Sequence, residues 1–476
     1  MTAAGELRRS PVRRKGLIRQ EFFPGLLVLI QVPQQVIGCA DARDGQWLPR
    51  WSAVRHMVLI TVNQGIFHSN RRLRAVFLPL LMLGTLLAAS PLAADATRSE
   101  KSAREGARAA GKSVEASAKE FDRYFRQLLK QQGIPGAAYV IVDHDRIVAM
   151  DTYGVRVKGK HEKVTTHTVF RLASVSKTFA ASMAAVLEHE QKFSWGDRVV
   201  RYVPQLSFKT PALSMQLQVQ HLLSHSSGLT PNAYDNYLED NRPLSKILPM
   251  FATIDPHCKP GKCYGYQNVL FSLIEDVIQK ATGVPYSRQL KDRFFAPLEM
   301  EDASLGWESF MAASNRAAPH VQTGRGWRPV KVEKEYYLAA PAAGVNASIS
   351  DMGQWLKAQM GYFPEVLSQE VIDDLTTERV ETRRHLRHRI WRDYIDHAGY
   401  GLGWRLYSVG DDRIIFHGGW VAGFRAAIAY SEKRKVGIVI LMNAESRVIS
   451  DLTGNFIADI TGRGKLVQAI AAAAKK

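Results

Sequence analysis

HTVFRLASVSKTFAASMAAVLEHE, residues 167–190, carries two signals that pull against each other. From Phe179 to Leu187 it has the apolar run of a buried helix. Ser174 and Lys177 nevertheless stand at its start, three residues apart. Positions i and i+3 share a helix face, so the ammonium can reach the hydroxyl. A serine hydroxyl is a poor nucleophile until a neighbouring base takes its proton. Lysine is such a base only when burial or nearby positive charge draws its pKa far below about 10.4. Free N–H groups at the helix start also favour developing negative charge. By itself the tetrapeptide reads equally as an N-cap and a surface lysine. It is the one S-x-x-K in the chain, and the segments around it decide between the readings.

A second candidate is Tyr264-Gly265-Tyr266-Gln267-Asn268. Tyr266 supplies a phenol that can relay a proton. Asn268 supplies an amide that can orient a substrate carbonyl or Lys177. Both lie where a loop enters the apolar helix expected from Val269 to Ile278. Tyr234-Asp235-Asn236 has the same pattern, but in a polar loop (residues 230–240) without an adjoining apolar helix, and Tyr266 is preferred. A third candidate is Phe416-His417-Gly418-Gly419-Trp420, after a strand expected from Arg413 to Phe416. Its two glycines let a substrate approach the backbone closely. The N–H groups of Trp420 and Ser174 can then form an oxyanion hole. His397-Ala398-Gly399 precedes a strand instead of following one, and Lys435-Val436-Gly437 reads as a hairpin turn.

Taken in this order, S-x-x-K, Y-x-N and H-x-G resemble the serine β-lactamase and penicillin-binding protein superfamily, above all class C β-lactamase-related hydrolases and esterases. The stretches Gly133-Ile134-Pro135-Gly136, Phe170 to Lys177, His221 to Leu229 and Tyr400-Gly401-Leu402-Gly403-Trp404 add to the likeness, which covers residues 120–461. The resemblance implies an α/β (α+β) fold: an antiparallel sheet flanked by helices, a mostly helical domain, and an active site between them. It implies Ser174, Lys177 and Tyr266 as catalytic residues, with Asn268, His417, Gly418, Gly419 and Trp420 at the substrate and oxyanion. It implies no metal and no organic cofactor. His417 stands where true β-lactamases carry lysine. A histidine is mostly neutral at pH 7, which favours an esterase, amidase or peptidase over a β-lactamase or D-alanyl-D-alanine carboxypeptidase. A catalytically silent cell-wall-binding protein is the remaining alternative. The i, i+4 pair His221 and His225 lacks the Glu of a zinc helix, since Leu222 follows His221; the family uses this stretch as a structural turn.

Hydrophobic patterning gives the same organisation. Phe121, Phe125, Leu128 and Leu129 recur at helical spacing and predict a core-facing helix ending near Gly133. Strands are expected over 137–142, 146–152, 401–407, 413–416, 426–430 and 436–442, and a last helix over about 447–461. Strands at both ends suggest one sheet built from the two termini, with a mostly helical insertion over about 200–345. Residues 462–476 form a C-terminal tail.

Of the 476 residues, the first 96 hold 12 of the 63 Lys and Arg but only 5 of the 45 Asp and Glu. The formal net charge is +18. A basic balance fits nucleic acid, a membrane surface or an anionic envelope. No nucleic-acid motif is present. Weak membrane-surface contact through residues 98–119, a linker or solvated helix, remains open. Residues 70–96 read as a secretory signal: Arg71, Arg72 and Arg74, then a short apolar run from Ala75 to Ala89, then Ala94-Asp95-Ala96 as the cleavage site. An uncut membrane anchor is the competing reading. A signal this far in suggests that residues 1–69 are a non-native or disordered extension, with the true start near Met57. A lipoprotein-like signal ending at Cys39 is the alternative. The protein is thus expected to be exported, in the bacterial periplasm, acting on a small-molecule or peptidoglycan-like substrate. Cys258 and Cys263 flank the turn Lys259-Pro260-Gly261-Lys262 and suit a disulfide.

Overall fold

The computed structural model describes residues 113–387 and 391–464. The leader, signal and C-terminal tail expected from the sequence lie outside these residues, apart from 113–119 and 462–464.

The helix α1 (Val114–Gln131) begins where Ser113 Oγ accepts a hydrogen bond from the Ala116 N–H at 3.2 Å. That bond satisfies one of the orphan donors of the first turn. The helix starts before the apolar spacing does, and Ser117 and Ala118 are already buried. Phe121, Phe125 and Leu129 form its inner stripe.

Next come the strands β1 (Gly136–Asp143) and β2 (Arg146–Gly154), joined by a tight turn with His144 at φ 58°. The remaining strands of the main sheet lie near the C-terminus. They are β3 (Val380–Glu381), β4 (His397–Tyr400), β5 (Arg405–Val409), β6 (Asp412–Val421), β7 (Phe424–Ser431) and β8 (Val436–Met442). The spatial order is β2-β1-β8-β7-β6-β5-β4-β3, antiparallel throughout. β1 pairs directly with β8, from Ala137↔Met442 to Asp143↔Val436. The two ends of the domain therefore close one sheet, as the patterning suggests.

Both faces of this sheet are covered, so its central strands read as continuous apolar runs. All seven residues of β8 are buried. On one face α1 and the last helix, α5 (Val448–Ile460), pack Phe121, Phe125, Leu452 and Phe456 against Tyr139, Ile438 and Ile440. On the other lie α2 (Ser176–His189) and α4 (Ile349–Gln359), with Phe179, Met183 and Trp355 over Val140, Val439 and Leu441. Phe179 and Trp355 stack with centroids 3.9 Å apart. The polar residues of α2 are satisfied across this contact: Trp355 Nε1 donates to Thr178 Oγ1 at 3.0 Å, and Gln359 Nε2 to Ser182 Oγ at 3.0 Å.

Between α2 and α4 the chain forms mostly short helices, including α3 (Asn268–Ser272). A small sheet of Phe170–Arg171, Val345–Ala347 and Ser304–Leu305 and a hairpin of His320–Thr323 with Gly326–Pro329 complete it.

Two local expectations differ from the structure. The strand expected over 401–407 is a turn followed by β5. Gly403 takes φ 73° and the Gly401 N–H donates to the Trp404 carbonyl at 2.9 Å, folding the chain back between β4 and β5. The strand expected over 413–416 runs on to Val421, so Gly418 and Gly419 lie inside β6, where β7 pairs with both. Among the described residues, no helix is long and apolar enough to cross a membrane.

Candidate active site

Ser174 does not open the long helix directly. It lies in a 3-10 turn, Ala173–Val175, that feeds α2. Ala173 has φ 48°, a left-handed conformation unusual for a residue with a Cβ. Strain of this kind persists where the surroundings over-determine it, as they do at many functional sites. The start of α2 is held from outside: Ser176 Oγ accepts the Val345 N–H at 2.9 Å.

Lys177 is completely buried. Its Nζ lies 3.3 Å from Ser174 Oγ, 2.7 Å from Asn268 Oδ1 and 3.0 Å from the Ala342 carbonyl oxygen. Burial drives its pKa well below the usual lysine range. Asp235 opposes the shift and Arg405 adds to it. The neutral amine that burial favours has two N–H donors and one lone pair. Two oxygens that only accept take the donors, and the lone pair is left for the Ser174 hydroxyl.

Tyr266 completes the cluster. Its ring centroid is 4.8 Å from Lys177 Nζ. Burial raises its pKa above the usual phenol range, while Arg405 and the adjacent Ser174 hydroxyl pull it down. The segment before it is fixed by the loop that carries Cys258 and Cys263, which the structure joins with Cα atoms 6.3 Å apart. The Gly261 N–H donates to the Ser226 carbonyl at 2.7 Å and the Gly265 N–H to the His225 carbonyl at 2.8 Å. Gly265 has no room for a side chain, since a Cβ would collide with the Leu229 carbonyl oxygen.

Asn268, at the start of α3, donates from Nδ2 to Asp235 Oδ2 at 2.6 Å. A carboxylate can only accept, so this bond dictates which end of the amide faces Lys177. Burial pushes the Asp235 carboxyl up to about 6, with Asn268 and Lys177 acting downward. Asp235 belongs to the triplet set aside in favour of Tyr266. Of the two tyrosines Tyr266 lines the cavity, whereas Tyr234 turns away, its hydroxyl 2.9 Å from both the Met250 carbonyl oxygen and Thr253 Oγ1. The neighbouring aspartate reaches the site.

On the far side, β6 brings Gly419 against the Ser174 backbone. A Cβ there would lie 3.2 Å from the Ser174 nitrogen and collide with the Leu172 carbonyl oxygen. Ser174, Tyr266, Asn268, Gly418, Gly419 and Trp420 line one cavity of about 560 Å³, together with Asp235 and Arg405.

His417 is the exception among the residues singled out from the sequence. Expected at the substrate, it is fully buried and does not line the cavity. Its Nε2 is 3.0 Å from the Tyr400 hydroxyl and its Nδ1 is 3.0 Å from the Gly418 carbonyl oxygen. Side chains alternate along a strand, and with Gly419 already against Ser174 the imidazole is folded into the protein. Burial, then Arg405 and Lys177, hold it neutral. The cation nearest the cluster in the cavity is Arg405, which sequence reasoning missed. It contacts His385 Nε2 at 2.6 Å, and its guanidinium lies 5.6 Å from the Tyr266 centroid. The only signal was its place directly after Tyr400 to Trp404.

His221 and His225 do not converge. His221 Nδ1 accepts the Gln218 N–H at 3.1 Å, and His225 Nδ1 accepts the Gln267 N–H at 3.1 Å behind the Tyr266 ring.

An antiparallel sheet with a serine and a buried lysine at the mouth of a helix, facing a helical region, defines a class of serine hydrolase. Residues 121–459 match the beta-lactamase family, and the chain belongs to it. Protein Flp of Staphylococcus aureus (strain MW2) is 23% identical over 339 residues, 71% of this chain and 65% of Flp. Unguisins hydrolase ungD' of Aspergillus campestris is 22% identical over 359 residues, 70% of this chain and 63% of that protein. The chain thus spans just under two thirds of the length of these relatives. The octameric penicillin-binding protein homologue of Pyrococcus abyssi has a similar fold, with TM-score 0.64 and 21% identity over 73% of this chain and 78% of that one.

Proposed function

We propose that this chain cleaves an ester, amide or peptide carbonyl through an acyl-enzyme on Ser174. The observation that carries the reading is the wholly buried Lys177, 3.3 Å from Ser174 Oγ, with its two other partners both acceptors.

In this reading the Ser174 hydroxyl gives its proton to Lys177, with Tyr266 sharing the base role, and Oγ attacks the carbonyl carbon. The Ser174 and Trp420 N–H groups stabilise the oxyanion. Asn268 holds the substrate and Lys177 together. Tyr266 returns the proton to the leaving group as the carbonyl re-forms. Water then cleaves the acyl-enzyme by the same relay. No metal or organic cofactor enters these steps.

A D-alanyl-D-alanine carboxypeptidase or β-lactamase is the second reading, favoured by one observation. Arg405 gives the cavity a cation, which the inward-facing His417 does not, and a cation suits a substrate carboxylate. The signal-like segment and the Cys258–Cys263 pair support export to the periplasm. Small-molecule or peptidoglycan-like substrates fit that compartment.

Turnover of p-nitrophenyl acetate, nitrocefin and D-alanyl-D-alanine peptides by the parent and by Ser174→Ala tests the reading. Hydrolysis of at least one substrate, abolished in the variant, is expected. Equal turnover by the two proteins overturns it.

A further inference from the structure

The cavity that opens onto Ser174 extends beyond the catalytic side chains. Along β6 the residues Phe416, Gly418 and Trp420 share one face, opposite to Gly419. On β7 their partners are Ala429, Ala427 and Arg425. The pair at the middle, Gly418↔Ala427, has nothing larger than a methyl group, so the sheet surface sinks there to backbone level.

Larger side chains rise around this depression. At one end Phe416, Tyr407 and Trp391 form a cluster with centroids 5.2–5.8 Å apart. At the other end stands Trp420, 61% exposed, with its Nε1 bonded to Glu445 and the Arg425 guanidinium 4.3 Å over its ring. The helix α5 closes the side with Ile449 and Thr453. The Thr453 hydroxyl is spent on the Ile449 carbonyl at 2.8 Å. The result is a slot with a flat floor and aromatic ends, continuous with the nucleophile.

The geometry points to a substrate-binding slot for a flat apolar ring of the ester or amide substrate, seated over Gly418 and Ala427 between the Phe416 cluster and Trp420. This rests on the hydrolase reading above. Aromatic side chains favour such an occupant, because rings pack edge-to-face or offset against one another. Among the described residues, no carboxylate lines this part of the cavity, and the one cation there already faces the Trp420 ring. Water held on a floor of backbone and methyl groups is released when the ring enters.

The test uses esters that differ only in the ring. Benzyl acetate carries it on the alcohol side and methyl phenylacetate on the acyl side; ethyl acetate has none. The parent is expected to hydrolyse at least one ring ester with kcat/KM roughly tenfold or more above ethyl acetate. Ala427→Leu fills the floor, and that preference is expected to fall to within about twofold. Phe416→Leu, which lowers one wall, is expected to weaken it less and stands in if Ala427→Leu does not fold. No ring preference in the parent, or the same preference in the folded variants, overturns the slot.

Failure of the hydrolase reading would show as no ester turnover at all. The slot is then read by titrating Ser174→Ala with benzyl acetate and with ethyl acetate. Binding of benzyl acetate at least tenfold tighter than ethyl acetate, lost on adding Ala427→Leu, upholds it. Equal affinity for the two esters, or no effect of Ala427→Leu, overturns it.

Discussion

The cluster around Lys177 and the strand from His417 to Trp420 face each other across one cavity, and they are built on opposite principles. The Lys177 side is a chain of buried side chains in which Asp235 orients Asn268, Asn268 engages Lys177, and Lys177 reaches Ser174. Each member sets the protonation or orientation of the next. Polar groups in such a setting interact strongly because little water screens them. The strand side contributes backbone. Gly419 matters for the side chain it lacks, and His417 faces away from the cavity. Chemical identity governs one side, and shape governs the other.

Substitutions at the two sides are therefore expected to behave differently, starting with Lys177→Arg. Arginine does not lose its proton, so a fixed positive charge replaces the neutral amine and the proposed base is gone. The expected loss in kcat is about 10²–10⁴-fold, read from steady-state kinetics on any substrate the parent turns over. Near-parent kcat would break the contrast.

On the strand side, Gly419→Ala probes shape alone. The added methyl must push β6 away from Leu172 and Ser174, which displaces an oxyanion donor. A fall of about 10²–10³ in kcat is expected, with the thermal midpoint checked to exclude unfolding. An unchanged kcat would mean that this strand does not stabilise the oxyanion.

Asp235→Asn sharpens the other side. The asparagine can also donate, so the Asn268 amide is no longer forced into one orientation, and roughly a tenfold loss of kcat is expected. Ionised Asp235 holds the Lys177 pKa up. Without it that pKa falls further, so the acidic limb of the kcat/KM profile moves to lower pH. A loss of activity with an unmoved limb would reduce Asp235 to packing.

A half-buried carboxyl outside the cavity separates pH effects on stability from those on catalysis. Burial, with the neighbouring Asp276 adding to it, pushes the Glu275 carboxyl up to about 7, well above the usual carboxylate range. A raised folded pKa gives stability that is full below the unfolded value and is lost as pH rises through the folded one. Ionising Glu275 in place thus costs roughly 3 kcal/mol by pH 8. Glu275→Gln is expected to gain about that much over the parent at pH 8 and little at pH 4, in urea unfolding. Parallel pH dependences would refute the assignment. The smallest effect belongs to His417→Asn, expected to cost about 1 kcal/mol for the Tyr400 bond and to leave KM within about twofold. A large rise in KM would return His417 to the substrate.

The same contrast explains what could be read in the sequence. Ser174, Lys177, Tyr266 and Asn268, which the fold brings together, were legible because the chemistry proposed for them needs particular side chains at particular spacings. The paired ends of the sheet were legible from the apolar runs of β1 and β8. Asp235 and Arg405 were not, since each acts through contacts 20 or more residues away in sequence and resembles any polar loop or strand residue. The direction of His417 depends on strand alternation counted from Gly419, and that needs the contact with Ser174 to anchor it. The turn at Gly401 to Trp404 hid for a related reason: its apolar residues suit a strand, and only the positive φ of Gly403 breaks it.

The most direct test of the central claim is the intact mass of the purified protein after exposure to an activated aryl phosphonate ester, followed by peptide mapping. The account predicts one phosphonyl adduct, on Ser174, absent from Ser174→Ala and much slower to form in Lys177→Arg. An adduct on another residue, or one formed equally by Ser174→Ala, would contradict it.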